Sequence, residues 1–242
     1  MSNFSVQIDN PSSFHPVSLI SFRILPPEAD LLEDTCSLHI YYKLPSSVFI
    51  DPYELVQRQQ AYTFVQWGYA DLEKPVNAIK SNVTLLINVN PPRIWTDNTS
   101  GLSFDVNVPL HARYGIPSPD TLSKSPSGTY HDVALEIPSA FIACREERLQ
   151  YSSTSPSYLS ESQLLEAGLQ PDMTTFLHLN YSPSTDHVDT IRIPLGHGQD
   201  LHWVQSGTAI IVLLSFICVT VVALQTAARL NFVSRPVQGK ID

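Results

Sequence analysis

Glycine is scarce in this chain, nine residues in 242, so there are few places where a backbone could fold tightly around a nucleotide phosphate. No G-x-S-x-G turn, phosphate-cradling glycine loop, H-E-x-x-H helix or acidic metal loop occurs, and the usual nucleophile, nucleotide and metal constellations are missing with them. Positive charge is also short. Fourteen Lys and Arg stand against 23 Asp and Glu, a formal net charge of −9, and a surface of that sign repels a phosphate polymer. Nucleic acid is excluded as a partner, and a basic protein surface fits better. With three cysteines, none at zinc-ligand spacing, structural zinc is excluded as well.

From Leu201 to Ala228 charged residues vanish altogether. At about 1.5 Å per residue, twenty or more such residues cross a hydrocarbon layer roughly 30 Å thick. One transmembrane helix is therefore predicted over Val204 to Ala228, with Trp203 at the interface. The fourteen residues after it, with Arg229, Arg235 and Lys240 against Asp242, carry +2, which leaves −11 on the rest of a chain of −9. Positive charge stays on the cytosolic side of a membrane, so residues 229–242 are predicted to be a short basic cytosolic tail and the bulk to be lumenal, a type I arrangement. The opening "MSNFSVQIDNPSSF" has neither a charged start nor an apolar run, and no signal peptide is read there. Residues 1–14 are taken as an N-terminal extension.

Alternation of apolar and polar residues dominates the remainder. In "CSLHIYYK" Cys36, Leu38, Ile40 and Tyr42 share one face and Ser37, His39, Tyr41 and Lys43 the other, as in a strand with one dry side. Seven more runs read the same way: 17–25, 61–69, 82–89, 102–114, 132–137, 174–181 and 188–195. Turn-forming residues separate them, and nineteen prolines suit strands and loops better than helices. The predicted fold is all-β, an antiparallel β-sandwich over residues 15–200. Two short helices are expected inside it, at "DPYELVQRQQ" and "SESQLLEAGL". Segments 115–131 and 151–162, rich in Ser and Pro, read as surface loops.

Four Asn-x-Ser/Thr acceptors, Asn3, Asn82, Asn98 and Asn180, agree with a lumenal domain, the last three being the glycosylation candidates. Cys218 lies in the predicted span. Cys36 and Cys144 are left either to form one bridge across more than a hundred residues or to stay as two buried thiols, and an oxidising lumen favours the bridge. His187, His197 and His202 are too widely spaced for a metal. Asp71 with Glu73, and Glu146 with Glu147, read as solvated charge rather than acid and base.

"VPLHARY" raises the sharpest local question. A two-residue period puts Leu110, Ala112 and Tyr114 inward and projects His111 with Arg113 from the outer face, where they could hold a carboxylate or carbonyls. Structural or interaction use is favoured over catalysis.

Read in order, "TCSLHIYYKLPSSVFIDPYEL" (35–55), "DLEKP" (71–75), "VPLHARYGIPS" (108–118), the cysteine of "IACREE" and the membrane helix resemble the PIG-X family. That family is the accessory subunit of glycosylphosphatidylinositol (GPI) mannosyltransferase I, with PBN-type proteins as its fungal counterparts. The resemblance runs from about His15 to Leu230. It implies a non-catalytic, cofactor-free subunit of the endoplasmic reticulum membrane whose partner is the catalytic subunit PIG-M, which adds the first mannose. Asp51, Pro52, Tyr53, Glu54, Leu55, Pro109, His111, Arg113 and Tyr114 are then the candidates for partner contact or for shaping it. A cell-surface adhesion or receptor ectodomain has the same outline and is the alternative; a lumenal enzyme ranks third.

Overall fold

The structure is a computed structural model. It describes residues 2–34, 36–68, 71, 74, 76–79, 82–91, 101–116, 130–145, 155–183 and 190–233. Two compact units divide them, residues 2–116 with 130–195, and residues 196–233.

The first unit is built from strands. In chain order they are β1 (Asn3–Asp9), β2 (Val17–Ile24), β3 (Cys36–Leu44), β4 (Val48–Phe49), β5 (Tyr62–Trp67), β6 (Val83–Val89), β7 (Leu102–Pro109), β8 (His111–Ala112), β9 (Tyr130–Ala134), β10 (Ser139–Cys144), β11 (Thr175–His178), β12 (Asn180–Tyr181) and β13 (Thr190–Pro194). Three short helices interrupt them: α1 (Glu28–Asp34), α2 (Pro52–Val56) and α3 (Glu161–Glu166). A four-stranded sheet runs β12-β1-β2-β7 and a five-stranded sheet β11-β10-β3-β6-β5, beside two short pairs, β13-β9 and β4-β8. Period-two patterning drives the packing: Ile20, Phe22 and Ile24 of β2 are buried while Arg23 is exposed. These side chains form one apolar core with Leu38, Ile40 and Tyr42 of β3 and Leu85 and Ile87 of β6, which makes the unit a sandwich.

The sandwich departs from the sequence reading in three respects. Within the stretch expected to be an N-terminal extension, Asn3–Asp9 is a strand. Phe4, Val6 and Ile8 of β1 are core residues, and β1 lies inside the four-stranded sheet, paired along its length with β2. The sheets are also not purely antiparallel, because β1 and β12 run parallel. The chain leaves the five-stranded sheet after β11, passes through buried Leu179, whose N–H donates to Ala140 O at 2.9 Å, and joins the other sheet as β12. That crossing brings β12 alongside β1 in the same direction. Finally, β10 had no alternation to betray it. Ala140, Phe141, Ile142, Ala143 and Cys144 are all buried, and a strand covered on both faces reads as an unbroken apolar run.

The second cover comes from α3. Ser160 caps this helix and Gln163 returns the bond to the cap, the reciprocal pairing that fixes a helix start. Leu164, Leu159 and Leu169 then pack on Tyr41, Leu86 and Phe141, the outer face of the five-stranded sheet. Trp67 Nε1 donates to Glu166 Oε2 at 2.7 Å and pins the end of α3 to β5. Both predicted helices are present but shorter than their sequence signals, α2 giving way to turns after Val56.

In the second unit, α4 (Leu201–Val233) is a single 33-residue helix. Its stretch Leu201–Leu230 is long and apolar enough to cross a membrane, with none of it buried inside the chain. Thr220 and Thr226 donate to the carbonyls of Phe216 and Val222, both at 2.8 Å, so their hydroxyls are satisfied within the helix.

Candidate functional site

The three loop blocks singled out in the sequence meet on one side of the sandwich. Asp51 starts α2: its Oδ1 accepts the Tyr53 N–H at 2.9 Å, and Pro52 fills the first helical position, where no N–H is needed. One turn is enough to bury Leu55 completely and leave Tyr53 76% exposed. Glu54 is thereby directed at β8, and its Oε2 lies 2.8 Å from His111 Nε2. Its other oxygen is 3.5 Å from Arg58.

β8 pairs antiparallel with β4, placing His111 opposite Phe49. The imidazole stacks on the Phe49 ring at 5.2 Å, and the Arg113 guanidinium sits over the same ring at 4.4 Å. His111 also meets the turn before β2: its Nδ1 is 3.0 Å from His15 Nδ1. Two backbone bonds reinforce the junction, Ala112 N–H to Phe14 O and Leu110 N–H to Pro16 O, both at 2.9 Å.

Arg113 corrects the strand-face expectation. His111 and Arg113 do not project together, because β8 ends at Ala112 and regular alternation ends with it. Arg113 turns inward, 4% exposed, while Tyr114, expected inside, is 78% exposed and rests on Phe14 with ring centres 4.6 Å apart. The buried guanidinium donates from Nη1 to Lys74 O at 3.0 Å, and the Arg113 N–H donates to Ser47 O at 2.8 Å. Its Nε has no hydrogen-bond partner among the described residues. Burial lowers the Arg113 pKa and the Asp71 carboxylate acts against that shift. Asp71 also pairs with Lys74 at 3.2 Å, so the two described residues of this block both lie against the Arg113 side chain.

Pro109 closes β7 opposite Val17 and is buried, a scaffold position. Sequence reasoning missed His15, Phe14 and Phe49, whose only signal was an aromatic or imidazole beside a proline or within "SSVF". Among the glycosylation candidates, Asn82 is exposed just before β6 and Asn180 is exposed on the edge strand β12. Asn98, Glu73, Glu146, Glu147, His187, Arg235 and Lys240 lie outside the described residues.

Cys36 and Cys144 are register partners on β3 and β10 with Cα atoms 4.2 Å apart, and a disulfide joins them. Directly opposed antiparallel positions of the closer kind stand about 4.5 Å apart, so the fold itself brings the two sulfurs within reach.

A β-sandwich with a motif-built polar junction, joined in one chain to a helix that alone among the described residues is long and apolar enough to cross a membrane, is the class that fold and site define. Within that class the chain belongs to the PIG-X / PBN1 family, whose family model matches residues 11–224. It is 27% identical to Protein pbn1 of Neurospora crassa over 224 residues, 89% of this chain and 42% of that protein. With Protein pbn1 of Aspergillus fumigatus it shares 29% identity over 89% of its own length and 46% of the relative's. For Protein PBN1 of Yarrowia lipolytica the identity is 24%, over 98% and 47%. The chain thus spans under half the length of these curated relatives.

Proposed function

We propose that this protein is a non-catalytic accessory subunit of GPI-anchor biosynthesis that binds and stabilises the PIG-M-type catalytic subunit of GPI mannosyltransferase I in the endoplasmic reticulum membrane. The carrying observation is the convergence of the three family blocks on one junction, where Asp51, Glu54, His111 and Arg113 are engaged within the chain while Tyr53 and Tyr114 stand exposed beside them. Exposed tyrosines supply large contact area at low entropic cost and are enriched in binding surfaces. On this reading the internally bonded residues shape the face and the two tyrosines touch the partner's lumenal loops.

In this arrangement the sandwich is lumenal, α4 packs among the partner's helices, and Asn82, Asn98 and Asn180 are glycan acceptors. Binding the folded partner and not its unfolded forms lowers the free energy of the folded state, so partner abundance follows the accessory subunit. The test is co-purification of the tagged full-length chain from detergent, with wild type and Tyr53→Ala/Tyr114→Ala. Capture of the mannosyltransferase by wild type, reduced at least about tenfold in the double variant, is the expected result. No capture by wild type, or unchanged first-mannose addition in cells lacking the chain, overturns the reading.

A further inference from the structure

The contact between His15 and His111 sets a limit on how many protons the junction can hold. Glu54 as a carboxylate only accepts, so at 2.8 Å it must receive the Nε2 proton of His111. Neutral His111 then presents a bare Nδ1, and the His15 Nδ1 at 3.0 Å must be the donor. One hydrogen thus occupies the space between the two rings, which meet edge to face with centres 4.9 Å apart. A first added proton, on the outer nitrogen of His15 or on His111 with a tautomer shift in His15, leaves that single shared hydrogen in place. A second puts hydrogens on both Nδ1 atoms and a positive charge on both rings.

Among the described residues, the charged groups facing the pair are few. From α2 and its following turn come Glu54 and Arg58, 3.5 Å apart. Asp51 is committed to the Tyr53 N–H. From the residue just after β8 comes Arg113, over the Phe49 ring that His111 also stacks on, with Asp71 behind it. β4 contributes only Val48 and Phe49, and the turn before β2 contributes His15 itself.

We propose that His15, His111 and Glu54 form a proton-limited clasp, which holds the turn before β2 on β8 with zero or one added proton and opens when both imidazoles are charged. The contacts that depend on it are the Phe14–Tyr114 ring pair and the Ala112 N–H to Phe14 O bond. The clasp itself stands on geometry; that its opening displaces Tyr114 and loosens partner binding rests on the function proposed above.

The experiment is histidine-selective NMR of the full-length chain in detergent micelles, titrated from about pH 8 to about pH 4.5. Exposed His197 and His202 serve as internal references. The expected result is that His15 and His111 respond together in two steps at least about one pH unit apart. The protection factor of the Ala112 amide should fall only through the lower step. His15→Ala collapses the His111 response to one step. Independent single steps matching the references, or a His111 response indifferent to His15→Ala, would overturn the clasp. Failure of wild type to capture the mannosyltransferase at any pH would instead reject the function, with the titration standing.

Discussion

Glu54 and His111 lie 57 residues apart in sequence and meet at 2.8 Å, closing the one-turn helix α2 onto the two-residue strand β8. Neither element is long enough to hold its own shape, since a lone turn or an isolated two-residue strand is unstable in water. Their side chains add to the few backbone bonds from Leu110, Ala112 and Arg113 in keeping the junction in place.

A double-mutant cycle of Glu54→Gln and His111→Phe in the full-length chain should therefore be non-additive. The pair is partly exposed, 33% and 16% for the two side chains, so the coupling expected is about 1 kcal/mol. Chemical denaturation measures it; strict additivity would mean that the junction is held by its backbone alone.

Bridging Cys36 to Cys144 closes a loop of sequence separation 108. Constraining a loop of that length in the unfolded chain stabilises the fold by up to about 5 kcal/mol. Cys36→Ser with Cys144→Ser should lower the denaturation midpoint accordingly, with the same effect from reductant on wild type and none on the variant.

Two glycines with similar backbone conformations should respond differently to substitution. At Gly101, φ +83, an added Cβ would stand 2.3 Å from Ile24 O; at Gly168, φ +77, it would meet nothing within 4 Å. Gly168→Ala should cost only the left-handed penalty, about 1 kcal/mol. Gly101→Ala adds a backbone collision between β2 and the start of β7 and should cost at least about twice that, by thermal unfolding.

His39 is 3% exposed on the outer face of β3, stacked on Phe141 at 5.1 Å. Burial pushes its pKa down to about 4 from 6.5. A lowered histidine pKa means that the unfolded chain binds more protons between those values. Stability from this group is full above about pH 6.5 and falls as pH drops through about 4, a loss of about 3 kcal/mol. His39→Phe, which keeps the stack, should flatten that part of the pH–stability curve; an unchanged slope would assign it to other groups.

Much of the sandwich was legible because one-sided burial writes itself as alternation, as in β2 and β3. Where burial is two-sided the signal disappears, and β10 was invisible for that reason. In β1 Phe4, Val6 and Ile8 alternate with Asn3, Ser5, Gln7 and Asp9, and so short a stretch of mixed polarity at the start of the chain reads equally as a solvated extension. At the junction the motif blocks were found, but extrapolating one strand through "VPLHARY" inverted Arg113 and Tyr114. A period-two rule holds only while backbone pairing lasts, and here it lasts for two residues. His15 could not be linked to His111 from sequence, because long-range pairings between a turn and a strand leave no local trace.

Leu179 has a consequence for how the sandwich comes apart. A chain that steps from one sheet into the other within a single residue ties the two layers like a stitch. Prising them open requires either peeling β12 from β1 or pulling β11 off β10, and both attachments end at the same buried side chain. The layers should therefore lose their slowest-exchanging amides together, as one cooperative body and not as two that melt in turn.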